Sequence, residues 1–237
     1  MVLSLTSFLR FPYLTHGIFP RVPKRRLIKG FRNFFLDKQI LDPKDCLVRG
    51  EQVHKKQVAI ISAPPPKKET AIPQTDALIT NQPRIALAIN TADCLPIFLL
   101  DRERKVIALV HAGWRGLKRK IINQTIQKMK NRFSSSSKNI IAAIGPSIGP
   151  CCYYACDKEQ LEIFKKYFSS YLTKREGQWY LNLWQVTEDE LVKNGIKKQN
   201  IENSHLCTAC HSFLSSHRRE GEKRQTTNIS FIIIKSL

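Results

Sequence analysis

The hydrophobic pattern of the chain predicts strands interleaved with helices. Short apolar runs at 57–63, 84–90 and 229–235 have the length of buried strands, and the last of them, ISFIIIK, indicates the interior of a sheet. The pattern is weaker over residues 1–50, where the basic stretch RVPKRRLIKGFR predicts a solvated loop. The two clear signals, strand and helix, predict an α/β or α+β fold.

Helical periodicity is confined to the second half of the chain. Residues 116–133 place apolar side chains at nearly 3.6-residue spacing, which predicts one amphipathic helix with a strongly basic outer face. A second helix is predicted at 157–168. A third is predicted at 184–195, with Thr187 as its N-cap and Gly195 as its terminator.

The most informative stretch is ADCLPIFLLDRERKVIALVHAGWRG, residues 92–116. Its two apolar runs flank a charged tip, which predicts an antiparallel hairpin turning at Arg102–Glu103 and a sheet that is at least partly antiparallel. That turn places Cys94 directly opposite His111, and facing residues of such a pair have Cβ atoms about 4.5–5.5 Å apart. A thiol and an imidazole are therefore expected to meet at one end of the hairpin.

A thiol beside an imidazole suits two chemistries, an activated nucleophile or a soft metal site that prefers zinc or copper. A third ligand separates them, and His54, at the mouth of the first predicted strand, is the candidate. A His-Cys-His set leaves tetrahedral zinc one open position, which is typical of catalytic sites. The residues predict a metal centre at His54, Cys94 and His111.

Residues beside this centre supply further candidates. Asp93 precedes the cysteine and is a candidate proton carrier if the strand has ended there. Arg115 and the backbone amides of AGWRG favour anions. Trp114 either stacks on a planar base or anchors the turn in the core. Ser216 and Arg218 of SSHRR are candidates for polar contacts with substrate.

Composition narrows the class of protein. The 237 residues suffice for one sizeable core, and no apolar run approaches the roughly 20 residues of a membrane span, so one domain without a membrane segment is expected. The apolar start has no basic segment before it and makes a poor signal peptide. Seven scattered cysteines favour a reducing compartment, and we expect a cytoplasmic protein.

The net charge of +20 favours anionic partners such as phosphates or nucleotides. The basic residues are dispersed and match no recognised nucleic-acid module, so nucleic-acid binding is the weakest hypothesis.

The cysteines other than Cys94 have simpler interpretations. CTACH at 207–211 matches c-type haem attachment, which requires export, or a second zinc or redox pair. Small buried hydrophobes are expected at Cys151, Cys152 and Cys156. Packing or surface positions are expected for His16, His205 and His217.

Several segments resemble the YfiH/LACC1 family, first described as multicopper polyphenol oxidases or laccases. They occur in the family's order: QVH, TADCLP, VIALVHAGWRGL, AAIGPSIGPCCYYACDKE, LNLWQ and CTAC…FLSSHRRE. The resemblance implies a single α/β domain over 1–237, with a mixed sheet layered by helices. It also implies zinc bound by His54, Cys94 and His111, with copper as the older assignment.

The resemblance further implies a purine nucleoside enzyme. Its expected reactions are phosphorolysis of adenosine, inosine, guanosine and methylthioadenosine, and deamination of adenosine; editing of peptidoglycan precursors is also linked to the family. In this hypothesis zinc activates water for attack at purine C6, Asp93 carries a proton and Arg115 holds phosphate. Alternatives are a hydrolase with a Cys94–His111 dyad and a basic nucleic-acid-binding protein. The chain departs from the family in lacking Gly-Gly-x-Ser and T-G-R segments and in having Lys55 after QVH.

Overall fold

A computed structural model describes residues 2–27 and 30–236 of the chain. Ile28 and Lys29, inside the predicted basic loop, lie outside the described residues, as do the two terminal residues. The strands are β1 (Leu14–Pro23), β2 (Cys46–Gly50), β3 (Val58–Ile61), β4 (Glu69–Ile72), β5 (Ala77–Thr80), β6 (Ile85–Thr91), β7 (Leu95–Asp101), β8 (Val106–Ala112), β9 (Ile140–Ile144), β10 (Leu172–Arg175), β11 (Gln178–Leu181), β12 (Ile201–Asn203) and β13 (Thr226–Ile234). The α-helices are α1 (Thr6–Leu9), α2 (Phe31–Asp37), α3 (Trp114–Lys118), α4 (Ile121–Phe133), α5 (Lys158–Phe168), α6 (Leu183–Lys193) and α7 (His217–Glu220).

The strands form two large mixed sheets and a small hairpin. One sheet has the order β1-β13-β6-β2-β4, the other has the order β12-β9-β7-β8-β5-β3, and β10 pairs only with β11. Parallel pairs such as β2 with β6 stand beside antiparallel pairs such as β7 with β8. The predicted α/β class and mixed, partly antiparallel pairing are confirmed, with the strands divided over two sheets. The predicted interior strand is β13, which lies between β1 and β6.

Side chains alternate between two cores along the central strands. From β7, Ile97 and Leu99 pack with the helices, whereas Phe98 and Leu100 pack against the five-stranded sheet. A third cluster covers the other face of that sheet with Phe34 of α2. The layers are therefore helices α3 to α6, the six-stranded sheet, the five-stranded sheet and α2. Because both faces of the six-stranded sheet are covered, β7 and β8 are continuously apolar.

The hairpin forms, but with a different register from the predicted one. Its loop has four residues, 102–105, and His111 pairs with Pro96 instead of Cys94. The Asp101 carboxylate accepts backbone hydrogen bonds from Glu103 and Arg104, which fixes the longer loop. Lys105 closes the loop in the left-handed region with φ 50°. The two-residue turn was wrong, and Cys94 lies just before the strand rather than in it.

Three other predictions need correction. The helix expected over 116–133 is split between α3 and α4, because Lys120 takes a left-handed φ of 60°. The N-cap of α6 is Asn182, whose side chain accepts from the Gln185 amide, whereas Thr187 lies inside the helix and donates to a backbone carbonyl. The basic stretch near residue 21 is partly strand, since β1 runs to Pro23.

The described part of the chain contains no helix that combines the length and the apolar character needed to cross a bilayer. All seven cysteines lie in this part and carry free thiols.

Candidate metal centre and its cavity

Three chain segments meet where β2, β6 and β8 end. His54 lies in the loop after β2, Cys94 lies between β6 and β7, and His111 is the penultimate residue of β8. The sulfur of Cys94 and a ring nitrogen of each histidine all lie within 4.8 Å of one another. We refer to these three residues as the metal centre. The pairing register was wrong, yet the thiol and the two imidazoles converge as the sequence predicted.

Asp76 orders the metal centre from behind. It is 1% exposed, and its carboxylate accepts a hydrogen bond from His111 Nδ1 at 2.9 Å. The same carboxylate accepts the backbone N–H groups of Val53, His54 and Lys55 at 2.8–3.1 Å, which fixes the loop that carries His54. With Nδ1 engaged, Nε2 is the nitrogen of His111 that is left to bind a metal. A carboxylate behind a histidine is the usual outer partner of a metal ligand.

The backbone around the centre is shaped for close approach. His54 has a left-handed φ of 58°, held by the bonds to Asp76. A Cβ atom on Gly113 would lie 2.9 Å from the sulfur of Cys94 and 3.6 Å from His54 Cδ2. Real Cβ atoms do not approach a sulfur so closely, so glycine is needed here to leave room for the thiol. The first glycine of AGWRG, Gly113, therefore serves the metal centre directly.

The thiol and the imidazole of the centre shift each other's pKa. Burial alone would raise the pKa of Cys94, but the neighbouring His111 and His54 lower it to about 6. Burial alone would lower the pKa of His111, but Cys94 and Asp76 raise it to about 9. The carboxyl of Asp76 is also buried, yet hydrogen bonds from His111 and Lys55 hold its pKa below the usual value. The protein thus stabilises a thiolate, the form that binds a metal or attacks an electrophile.

A cavity of about 750 Å³ opens beside the metal centre. Most of the site residues predicted from the sequence line it: His54, Asp93, Cys94, His111, Trp114, Arg115 and Arg218. Residues that the sequence did not suggest also line it, among them Gln52, Asn90, Tyr153, Tyr154, His217, Glu222 and Arg224. The volume is that of a small-molecule site.

Asp93 is buried and already engaged. Its two carboxylate oxygens accept hydrogen bonds from the Thr208 hydroxyl and the Arg218 amide, both at 2.6 Å. Its φ of 88° places it outside strand geometry, between β6 and β7. Asp93 therefore ties the carboxyl-terminal segment to the loop that carries Cys94.

Two of the three arginines that line the cavity, Arg115 and Arg218, differ in how their guanidinium groups are engaged. Arg115 is exposed, and its guanidinium lies over the Trp114 ring with 4.3 Å between Cζ and the ring centroid. Trp114 is 8% exposed and packs edge-on against Phe164, so the core position is the observed one. The guanidinium of Arg218 instead donates to the carbonyls of Cys152 and Tyr154.

Other predicted residues lie elsewhere than expected. Ser216 is fully buried, caps α7 by accepting from the Arg219 amide, and is not among the residues that line the cavity. Cys151 and Cys156 are exposed and Cys152 is half-buried, so the prediction of small buried hydrophobes was wrong. His217 is exposed, as predicted, and it also lines the cavity. The missing T-G-R segment is replaced by GEKRQ, whose Arg224 also lines the cavity.

Comparisons with known proteins agree with the fold and identify the family. The family model described as multi-copper polyphenol oxidoreductase laccase matches residues 26–235. The crystal structure of the hypothetical protein YfiH from Bacillus licheniformis superposes with a TM-score of 0.81 at 27% identity, covering 94% of this chain and 93% of that one. These matches confirm the resemblance that the sequence motifs carried.

Two curated relatives are similar over most of the chain. A purine nucleoside phosphorylase from Bacteroides thetaiotaomicron is 32% identical over 167 residues, covering 68% of this chain and 62% of the relative. Adenosine deaminase RL5, from an unknown prokaryotic organism, is 35% identical over 188 residues, covering 75% of this chain and 71% of the relative. The match thus spans less than two thirds of the Bacteroides protein.

Proposed function

This chain belongs to the multi-copper polyphenol oxidoreductase laccase family, and we propose that it is a zinc-dependent enzyme acting on purine nucleosides. The proposed reactions are phosphorolysis of adenosine, inosine, guanosine and methylthioadenosine, and deamination of adenosine. The observation that carries the proposal is the convergence of one thiol and two imidazoles at the wall of a cavity of about 750 Å³. The names of the two curated relatives supply the substrate class.

The donor set fits zinc. One thiolate and two imidazoles are zinc ligands in proteins, and three protein ligands leave a tetrahedral ion one position for water or substrate. Zinc bound by His54, Cys94 and His111 would supply Lewis-acid activation of water at the edge of the cavity. Three ligands at one place hold one ion, which does not make the multinuclear cluster of a multicopper oxidase. We therefore propose zinc in preference to copper, to be decided by metal analysis.

The residues around the centre have separate proposed roles. Arg115 is an exposed cation that lines the cavity and would bind phosphate. Trp114 fixes Arg115 through its ring and does not itself stack on the base. Asp93 has both oxygens engaged, so we assign it to positioning Arg218 instead of to proton transfer. Ser216 would act indirectly by capping α7, and Arg218 by holding the backbone carbonyls of the cavity wall.

Product analysis tests the proposal. Zinc-replete protein is incubated with adenosine and with inosine, each with and without phosphate, and the products are separated by chromatography. Phosphate-dependent release of adenine or hypoxanthine would support phosphorolysis, and phosphate-independent formation of inosine from adenosine would support deamination. Absence of any product from zinc-loaded protein would contradict the proposal.

A second candidate function is favoured by the pairing of Cys94 with His111. A thiolate beside an imidazole is also the nucleophile of thiol hydrolases, and the substrate would be an amide such as a peptidoglycan precursor. The two functions respond differently to reagents. Inhibition by an alkylating agent with no effect of a chelator would support the hydrolase. Loss of activity with the chelator, restored by zinc, would support the metal enzyme.

A further inference from the structure

Four thiols from two distant segments meet outside the metal centre. The sulfur atoms of Cys151, Cys152, Cys207 and Cys210 all lie within 4.8 Å of one another. The sulfur of Cys210 is 3.5 Å from those of both Cys151 and Cys152. We call these residues the four-cysteine cluster, and we propose that it is a second zinc site, structural and closed, with all four thiolates as ligands.

The spacing of the thiols suits a tetrahedral ion. With Zn–S bonds of about 2.3 Å, the sulfur atoms of a tetrahedral site lie about 3.8 Å apart, close to the two observed separations. Four thiolates leave no position for water, which is the arrangement of structural zinc sites. Soft sulfur ligands in tetrahedral geometry select zinc over magnesium or calcium.

The CTAC turn has the backbone of a metal-binding knuckle. Cys207 and Cys210 are separated by two residues, the common spacing of paired zinc ligands. The sulfur of Cys207 accepts the Gly149 amide at 3.2 Å, and the amides of Ala209 and Cys210 also donate to it. Backbone donors stabilise a thiolate, and Cys207 is buried with them. The turn is therefore built to hold a charged sulfur.

The four thiols of the cluster are close enough for their charges to interact, since the sulfur atoms all lie within 4.8 Å of one another. Like charges at this distance disfavour each other, so several thiolates cannot coexist here unaided. A divalent cation removes this repulsion and provides the reason for four thiols at one place.

A backbone bridge and an arginine side chain support the two segments of the cluster. Ser147 forms a parallel bridge with Cys207, which joins the stretch before Cys151 to the CTAC turn. Arg219 donates to the carbonyls of Thr208, Ala209 and His211 at 2.7–3.1 Å and so fixes the turn from outside. Contacts within the fold therefore hold the two cysteine segments of the cluster together.

The four-cysteine cluster is continuous with the wall of the cavity. The carbonyl of Cys152 accepts from Arg218, and Thr208, inside the CTAC turn, donates to Asp93. Tyr153 and Tyr154, which follow Cys152, line the cavity. A zinc ion in the cluster would therefore rigidify the cavity wall without taking part in chemistry.

Zinc counting tests the inference on the full chain. Protein is purified under reducing conditions from zinc-supplemented cells, and bound metals are measured by elemental mass spectrometry. We expect two zinc ions per chain in the unaltered protein, one in Cys210→Ser, one in Cys94→Ala and none in the double variant. Cys156→Ser, which removes an exposed thiol of the same segment outside the cluster, is the matched control and should retain two.

A spectroscopic measurement keeps the inference testable if Cys210→Ser does not fold. Metal-free unaltered protein is titrated with cobalt(II), and thiolate-to-cobalt charge-transfer absorption is followed. One of the two equivalents should give several times the absorption of the other, since four thiolates bind it instead of one. The proposal would be overturned by a single zinc equivalent that is lost with Cys94→Ala alone. It would also be overturned by iron in place of zinc, or by a disulfide from Cys210 to Cys151 or Cys152 in metal-free native protein. The result is independent of nucleoside turnover.

Discussion

The metal centre and the four-cysteine cluster differ in what surrounds their thiols. Cys94 faces two imidazoles, and the buried carboxylate of Asp76 stands behind His111. The thiols of the cluster face one another, and backbone amides donate to Cys207. The first environment lowers the pKa of Cys94, whereas in the second burial raises the pKa of Cys151 and backbone amides lower that of Cys207 despite its burial. Neighbouring charge, and not the number of cysteines, therefore separates a reactive thiol from a structural one.

The largest expected effect is on turnover, which should be lost with the metal centre and only weakened with the four-cysteine cluster. Cys94→Ala removes the only sulfur of the metal centre and should abolish both turnover of adenosine and inosine and zinc binding there. Cys210→Ser should leave turnover measurable, with a raised KM and a lower melting temperature, because it loosens the cavity wall. Steady-state kinetics and thermal unfolding measure both. Full activity of Cys94→Ala, or equal inactivity of a folded, zinc-bearing Cys210→Ser, would contradict the division.

The second effect is the reactivity of the thiols in metal-free, reduced protein. At pH 7 a thiol of pKa about 6 is mostly thiolate, whereas one of pKa about 11 is ionised in about one molecule in 10⁴. The less basic thiolate is intrinsically less nucleophilic, with a Brønsted coefficient of about 0.4–0.5, which offsets roughly half of that advantage on a logarithmic scale.

Cys94 should therefore be alkylated by iodoacetamide roughly a hundredfold faster than Cys151. Peptide mass spectrometry over time gives the two rates separately. The rate at Cys94 should fall as the pH drops through about 6, because the thiolate becomes protonated there. His111→Asn should move that midpoint upward. Equal alkylation rates at Cys94 and Cys151 would contradict the proposed difference in pKa between the two thiols.

The third effect concerns the carboxylate behind the metal centre. Asp76→Asn keeps the size of the side chain but removes the negative charge that faces His111, and we expect zinc affinity to fall about 10- to 100-fold. Competition with a chelator measures the affinity. Asp101→Asn is the matched control, since Asp101 is also fully buried and accepts backbone amides, but at the far end of β7. It should destabilise the fold with zinc affinity unchanged; an equal loss of affinity in both variants would show a general effect of folding.

The sequence predicted the helices and strands, and the convergence of Cys94 with His111, better than it predicted the register of the hairpin formed by β7 and β8. Apolar runs identify strands because each strand carries its own pattern. The loop at 102–105 depends on Asp101 accepting two backbone amides, an interaction that periodicity does not encode. The division of strands between two sheets was also not predicted, since continuous apolar runs show that both faces are covered but not by what.

Residues that act across the fold were the hardest to predict. Asp76 lies 35 residues before His111 and is a single acidic residue before a short apolar run, so no local pattern marked it. The pairs 151–152 and 207–210 were visible separately, but tertiary contacts such as the bridge from Ser147 to Cys207 bring them together. Tertiary pairing, rather than local propensity, assembles both sites.

The smallest expected effect tests whether the exposed arginine of the cavity binds phosphate. Charged hydrogen bonds contribute about 1.5–3 kcal/mol, and the exposure of Arg115 places it at the lower end, so Arg115→Ala should raise the KM for phosphate about tenfold. Adenosine deamination consumes no phosphate and should be nearly unchanged. Arg119→Ala, on the next turn and not among the residues that line the cavity, is the matched control and should alter neither reaction. If both reactions fell equally in Arg115→Ala, the arginine would instead serve the packing of Trp114, over whose ring it lies. The cavity would then need another cation for phosphate, and Arg224 is the next one to test.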